Sequence, residues 1–215
     1  MPIVLIFDVE TTGLLPNIMQ YAKPEELPNI IQISFALYDT DTQSMIETYN
    51  AYIKLSSEIV IKPVITQLTG ITREQLDLEG IDIHDAIKEF YRVYQMADII
   101  VGHNIKFDIN MILLEDRLND SQIQGIFNPD VLEQYNKKIY CTMQSGIKLC
   151  KLERINSRGV YLKQPKLSEL YEHLFCRVPN NLHNSMIDVV VCLRCFLKMY
   201  YNIEIPDSVF NDWLQ

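Results

Sequence analysis

The order of the predicted elements indicates an α/β layer fold around a mixed sheet. The chain opens with a near-continuous apolar run rich in β-branched residues (3–9), as in a strand buried on both faces. Two further strands follow as a meander, and the rest of the sequence alternates short apolar runs with amphipathic helical segments. This order is typical of a sheet that contains antiparallel and parallel pairs and is covered by helices.

Each element is predicted from local signals in turn. The first strand ends at a Thr-Thr-Gly segment, and a loop with three prolines follows over residues 14–29. Strands are predicted over 30–38 and 45–53, and the Asp- and Thr-rich connection between them predicts an antiparallel hairpin. No element is assigned to 119–137. The other predicted elements are short strands over 99–102 and 139–141, and helices over 62–68, 85–96, 107–118, 166–175, 184–201 and 206–214.

Length and composition predict one globular domain, 1–215. The chain has 215 residues, of which 48% are hydrophobic and 22% charged, as in ordinary soluble domains. No window of 18 apolar residues is present, and the apolar start runs directly into acidic residues without a basic flank. We therefore expect neither a membrane span nor a secretory signal. The odd number of cysteines, five, favours a reducing compartment, so we expect an intracellular protein, cytoplasmic or nuclear.

The charge is unevenly distributed along the chain. The formal net charge is −9, but residues 137–166 alone carry +7, so the rest of the chain carries −16. We call 137–166 the basic strip. It suggests a track for a phosphate backbone, with Tyr140 and Tyr161 available to stack on unpaired bases. The alternative is a solvated helix edge, because Lys148, Lys151 and Arg154 recur at every third position.

Two carboxylates end the first strand. Asp8 and Glu10 are two residues apart, so their side chains share one face of the strand. Two carboxylates held close together repel unless a cation lies between them, and a hard divalent ion is the natural partner. A solvated strand end is the alternative for this pair alone.

Two more acidic residues lie at the starts of apolar helices. Asp108 follows a short apolar strand, in the first turn of the next helix, where the helix dipole favours an ionised acid. Asp188 lies between apolar residues near the start of a long apolar helix, where an unpaired acid is costly. His183 precedes that helix. If the four acids meet, they would bind two metal ions and support phosphodiester hydrolysis, with His183 taking the proton from the attacking water.

These residues resemble the motifs of the DnaQ-like 3′-to-5′ exonucleases, in the subgroup whose third motif carries His, as in ribonuclease T and polymerase proofreading subunits. The first motif is Phe-Asp-Val-Glu-Thr-Thr-Gly-Leu at 7–14, the second His-Asn-Ile-Lys-Phe-Asp at 103–108, and the third His183 followed by Asp188. Weaker similarities occur at 68–72, 141–142 and 166–170. The resemblance covers nearly the whole chain in the family's order.

The resemblance implies an RNase H-like fold with a five-stranded mixed sheet flanked by helices. It implies two Mg²⁺ or Mn²⁺ ions, held by Asp8, Glu10 and Asp188, with Asp108 acting largely through metal-bound water. The substrate would be nucleic acid with a free 3′ end. His103 would not be the catalytic histidine. Residues expected to contact substrate are Thr11, Thr12, Gly13, Leu14, Asn104 and Phe107, together with Lys148, Lys151 and Arg154 of the basic strip.

Several alternatives stay open at this stage. DNA is favoured over RNA, because the oligoribonuclease branch typically has Met where this chain has Thr11. A free-standing nuclease and a subunit that docks on a polymerase, or on another replication or repair protein, both fit. A degenerate exonuclease-like binding module is the rival function, although all five catalytic positions are kept. A kinase or NTPase is excluded because neither GxxxxGK[ST] nor GxGxxG occurs.

Overall fold

A computed structural model describes residues 2–16, 23, 26–119, 125–178 and 184–214. Its central sheet has five strands in the order β3-β2-β1-β4-β5. β2 is antiparallel to both β1 and β3, whereas β4 and β5 run parallel to β1. The predicted mixed sheet is therefore confirmed. The strands are β1 (Ile3–Thr11), β2 (Ile30–Asp39), β3 (Ser44–Tyr52), β4 (Ile99–Gly102) and β5 (Lys138–Cys141).

Helices cover both faces of the sheet. Those before β5 are α1 (Pro63–Thr69), α2 (Arg73–Glu79), α3 (Ile83–Met96), α4 (Ile105–Asn119) and α5 (Pro129–Gln134). Those after it are α6 (Thr142–Cys150), α7 (Leu167–Phe175), α8 (Ser185–Phe196) and α9 (Asp207–Trp213). Among the described helices, none combines the length and the hydropathy that crossing a bilayer requires.

The alternation of side chains along β1 divides the core into two layers. Leu5, Phe7 and Val9 pack in the cluster that includes the buried residues of α3 and α4. Val4 and Ile6 point the other way, into the cluster built by α7 and α8. Since alternate residues of a strand share a face, Asp8 and Glu10 continue the row that faces α8.

Some element predictions are wrong. The predicted helix 184–201 changes at Leu197 into a π-helical turn, Leu197–Tyr201, and the segment 119–137, for which the sequence predicts no element, contains the short helix α5. The helix edge suggested for the basic strip does not exist, because α6 ends at Cys150. Arg154 instead belongs to a separate two-stranded ribbon of β6 (Glu153–Asn156) and β7 (Gly159–Leu162). The predicted loop 14–29 lies partly outside the described residues.

Candidate active site

Three carboxylates meet where β1 ends. Asp8 and Glu10 extend from β1, and Asp188 comes from the first turn of α8. One carboxylate oxygen from each residue lies within 4.8 Å of the others, and all three side chains are partly buried. Next to this group, the pairing of β1 with β2 shifts register between Glu10 and Thr11, as at a β-bulge. Bulges of this kind redirect side chains at the ends of strands.

Asp108 lies beside this group rather than within it. It is in the first turn of α4 and is only 3% exposed. Its carboxylate accepts a hydrogen bond from the backbone N–H of Val9, which tends to keep the acid ionised. The negative charge of Asp108 nevertheless acts on Asp8 strongly enough to raise the pKa of that residue.

The surroundings of Asp8, Glu10 and Asp108 disfavour the negatively charged form and so raise their pKa values. Burial, then the charges of Asp108, Asp188 and Glu10, raises the pKa of Asp8 well above its usual range. Burial, followed by the charge on Asp188, raises the pKa of Glu10 to about 8. Burial likewise raises the pKa of Asp108. A nearby cation would relieve both the repulsion and the desolvation, so this donor set fits a hard divalent ion that prefers oxygen ligands.

The start of α8 is fixed directly to β1. Asn184 caps the helix by accepting hydrogen bonds from the backbone N–H groups of Met186 and Ile187. The fully buried Ser185 donates its hydroxyl to the backbone oxygen of Asp8, at 2.7 Å. This bond joins the two elements that carry the carboxylates and sets the distance between them.

A buried polar network, which the sequence analysis missed, supports the same junction. Gln32 and Ser34 of β2 lie directly opposite Glu10 and Asp8 in the sheet. The Gln32 side chain accepts from the backbone N–H of Ser185 at 3.3 Å. Both Gln32 and Ser34 donate to the side-chain oxygen of Asn50, at 2.9 and 2.8 Å. The signal was present in the sequence, as two polar residues spaced by two within an otherwise apolar strand.

Both ring nitrogens of His103 take part in hydrogen bonds within the fold. Its Nε2 lies 3.1 Å from the backbone oxygen of Pro165, which can only accept, so Nε2 carries the proton. Its Nδ1 then accepts from the hydroxyl of Thr142, at 3.0 Å. Burial lowers the pKa of His103 to about 4, so the ring is neutral at physiological pH. His183, the predicted catalytic histidine, lies outside the described residues.

Comparison with known proteins identifies the family. A sequence profile described as Exonuclease matches residues 5–196, most of the chain. This chain belongs to the DnaQ-like exonuclease family. The comparison with curated protein sequences gave no match.

Solved structures of exonuclease I resemble this family member in fold. E. coli exonuclease I in complex with a dT13 oligonucleotide has 17% identity and a TM-score of 0.64, over 94% of this chain and 42% of that chain. The complex with dA16 has 16% identity and a TM-score of 0.64, over 99% and 43% of the two chains. The zinc-bound complex of the E. coli enzyme with single-stranded DNA has 18% identity and a TM-score of 0.63, over 99% and 42%.

These matches establish the RNase H-like fold. This chain spans less than half the length of the exonuclease I chains that it matches.

The turn after β1 is ordered by its own polar groups. Thr11 donates its hydroxyl to the backbone oxygen of Gly13 at 2.7 Å, and the hydroxyl of Thr12 accepts from the backbone N–H of Asn29 at 2.9 Å. Leu14 follows with 84% of its surface exposed.

Asn104 and Phe107 lie where β4 leads into α4, the helix that carries Asp108. Asn104 is exposed and adopts a left-handed conformation (φ 70°), which asparagine tolerates better than most residues. Phe107 is partly buried against the core cluster that includes Phe7 and Val9. Asn104 is thus exposed to solvent, whereas Phe107 is held against the core.

The basic strip is divided among several elements of the fold. Lys148 is exposed on α6, Lys151 ends that helix in a left-handed conformation, and Arg154 is exposed on β6. Lys137 is occupied elsewhere, because its ammonium donates to backbone oxygens at the end of α3. Tyr140 is half-buried and packs edge-on against Phe196 and Tyr200, which leaves its ring less available for stacking on bases than the sequence suggests.

Proposed function

We propose that this protein is a metal-dependent 3′-to-5′ exonuclease that hydrolyses phosphodiester bonds at the 3′ end of nucleic acid. The observation that carries the proposal is the convergence of Asp8, Glu10 and Asp188, with carboxylate oxygens within 4.8 Å, in a member of an exonuclease family. Carboxylates whose pKa values are raised by burial and mutual repulsion bind a divalent cation with relief of both costs.

Asp8, Glu10 and Asp188 would hold two Mg²⁺ or Mn²⁺ ions, and Asp108 would complete the site through a water molecule. Such ions, when bound, polarise the scissile phosphate and lower the pKa of the attacking water. The chain's own contribution is to fix the carboxylates, through the Ser185 bond to Asp8 and the cap at Asn184. His183 would accept the proton of the attacking water, because the neutral His103 has both ring nitrogens in use.

The substrate's terminal nucleotide would lie against the turn after β1. The backbone and side chains of Thr11, Thr12 and Gly13 would contact its sugar and phosphate, and Leu14 would pack beside its base. Asn104 and Phe107 would form the opposite wall. Upstream phosphates would follow Lys148, Lys151 and Arg154, the exposed cations of the basic strip.

We further infer that DNA is the preferred substrate and that the protein acts inside the cell. The complexes of exonuclease I with DNA oligonucleotides support a single-stranded substrate by analogy of fold. The five cysteines, all free, support a reducing compartment. A polymerase or another replication or repair protein remains a candidate partner.

The decisive experiment is hydrolysis of end-labelled oligonucleotides. Single- and double-stranded DNA and RNA, labelled at either the 5′ or the 3′ end, are incubated with the protein in Mg²⁺, in Mn²⁺ and in excess chelator. A ladder shortening from the 3′ end, dependent on metal, is expected. Binding without hydrolysis in either metal would instead favour the degenerate binding module, and full hydrolysis in chelator would exclude the metal mechanism.

A further inference from the structure

The ribbon formed by β6 and β7 stands apart from the main sheet. Its two strands pair only with each other, and every residue in both is exposed. A two-stranded ribbon on its own is only marginally stable in water, since it buries little surface. Large side chains are nevertheless displayed on it, including Ile155 at 81% exposure and Tyr161 at 46%. Large exposed side chains on a ribbon that buries little surface indicate that this surface binds another molecule.

The register of the ribbon separates two chemically different faces. In an antiparallel pair, residues directly opposite each other share a face, and successive pairs alternate. Arg154 is opposite Tyr161, so both side chains project from the same face of the ribbon. The next pair, Ile155 and Val160, points to the other side and shares it with Glu153 and Leu162. One face therefore carries Arg154 and Tyr161, and the other is mostly aliphatic with one acidic residue.

The positive charges on the ribbon are not neutralised by ion pairs with other described residues. Among the described residues, Lys151, Arg154 and Arg158 form no ion pair, and all three are exposed. Lys163, at the base of the ribbon, differs because its ammonium is paired with Glu169 at 2.5 Å. Since the chain outside the basic strip carries −16, a polyanion would be repelled by most of the molecule and attracted here.

The base of the ribbon is connected to the candidate active site. The backbone N–H of Lys163 donates to the oxygen of Leu152, which closes the ribbon at 2.8 Å. Two residues later, the oxygen of Pro165 accepts from His103 at 3.1 Å. His103 immediately precedes Asn104 and the helix that carries Asp108. The ribbon therefore leaves the fold beside the edge of the sheet where the carboxylates meet.

We infer that the face formed by Arg154 and Tyr161 binds single-stranded nucleic acid upstream of the 3′ end that is to be cleaved. The inference rests on the proposed function and assigns its substrate a second contact. The Arg154 guanidinium contacts the phosphate backbone, and the Tyr161 ring stacks on an unpaired base. A duplex would hide the base faces that Tyr161 needs, so the ribbon favours single strands.

The test measures binding without catalysis. Fluorescein-labelled oligothymidylate of 12 nucleotides is titrated in excess chelator, and Kd is obtained from fluorescence anisotropy. Tyr161→Leu is expected to weaken binding roughly 5- to 100-fold, the range for loss of one stacked base, whereas Tyr161→Phe keeps it. Arg154→Gln weakens binding and reduces the salt slope by about 0.7. Ile155→Thr and Val160→Thr, on the opposite face, are matched controls that change Kd less than twofold.

Hydrolysis of the same oligonucleotide separates this inference from the proposed function. For Arg154→Gln and Tyr161→Leu, KM is expected to rise, and to rise more on 12 nucleotides than on dinucleotides. Normal hydrolysis with wild-type Kd in both variants would overturn the inference and leave the exonuclease intact. If the wild-type protein hydrolyses nothing but both variants bind the oligonucleotide more weakly, the binding role of the ribbon is supported and the proposed exonuclease activity is overturned. A larger effect from the Ile155 and Val160 variants than from the Arg154 and Tyr161 variants would overturn the inference and assign the oligonucleotide contact to the opposite face.

Discussion

Glu10 shows how far the site departs from ordinary carboxylate chemistry. Burial and the charge on Asp188 raise its pKa to about 8, so without metal it carries a proton at neutral pH. Glu10→Gln mimics that protonated form. In excess chelator we expect the variant to melt higher than wild type at pH 9, above the folded-state pKa of Glu10, and to differ little at pH 4, below the pKa of Glu10 in the unfolded chain. Differential scanning calorimetry at both pH values tests this, and an equal loss of stability at both would contradict it.

Loss of a carboxylate should abolish activity while the fold persists. Asp8→Asn, Glu10→Gln and Asp188→Asn each remove a charged oxygen from the cluster that would hold the metal ions. We expect kcat to fall by several orders of magnitude in each variant. Single-turnover hydrolysis with labelled DNA measures this, and Asp130→Asn, on the distant exposed helix α5, is the matched control. Activity within tenfold of wild type in any of the three would remove that residue from the proposed site.

Substitution of His183 should mainly lower kcat, whereas substitution of His103 should mainly lower the melting temperature. His183→Ala is expected to lower kcat by roughly 10²–10⁴, the usual contribution of a general base, with little change in melting temperature. His103→Ala leaves the Pro165 oxygen and the Thr142 hydroxyl without their partner, which costs about 1–3 kcal/mol and lowers the melting temperature by about 2–10 °C. Parallel melting curves and kcat values distinguish them. A larger kcat loss in His103→Ala would reverse the assignment.

At the scale of elements, the contact between α8 and β1 controls the spacing of the carboxylates. Ser185→Ala removes the hydroxyl that bonds the backbone oxygen of Asp8 and frees the start of α8 to shift. We expect the apparent affinity for Mn²⁺ to fall several-fold, with kcat largely restored at saturating metal. Metal titrations followed by thermal shift and by activity measure both quantities. Ser157→Ala, in the exposed turn of the ribbon, should leave Mn²⁺ affinity unchanged. A purely structural role would lower stability without moving the metal titration.

Elements differ in how well the sequence predicts them. The sequence predicts β1 well, because a continuous apolar run rich in β-branched residues is typical of a buried strand. The spacing of Asp8 and Glu10 then places both side chains on one face of that strand. β6 and β7 were missed because each has only four residues and no buried side chain to produce an alternating pattern. Their turn signal was present. Asn156 accepts from the backbone N–H of Arg158, and Gly159 takes φ of 115°, where a side chain would be strained.

The site was predictable residue by residue, but its supports were not. Each acid could be located from its position at a strand end or a helix start. The meeting of Ser185 with Asp8 and Gln32 depends on how α8 crosses the sheet, which no local pattern encodes. The same holds for His103, whose partners lie 39 and 62 positions away.

For the whole molecule, opposing titrations give a defined pH profile of stability. The pKa of Glu10 is raised from 4.5 to about 8, so the folded state binds more protons in that window and loses stability as the pH rises through it. The pKa of His103 is lowered from 6.5 to about 4, so stability rises with pH between those values. The two effects oppose each other below pH 6.5, and only the carboxylate effect remains above it.

We therefore expect the melting temperature in chelator to fall between pH 6.5 and 8. Saturating Mg²⁺ or Mn²⁺ should remove that fall, because metal binding requires the ionised carboxylates and is favoured as protons leave. Melting curves across this range, with and without metal, provide the check, and Glu10→Gln should show a flatter profile in chelator. An equal fall in the presence of metal would indicate that the ions bind elsewhere.

The order in which the chain is synthesised gives the carboxylate cluster a further consequence. Asp8 lies on the first strand of the five-stranded sheet, whereas Asp188 follows in the chain only after the last of these strands. A nascent chain that has not reached α8 therefore lacks the third carboxylate of the cluster, and under the proposed function it would not hydrolyse nucleic acid. Proteolytic removal of α8 would have the same consequence. The proposed activity would thus depend on synthesis of the complete sheet and of α8.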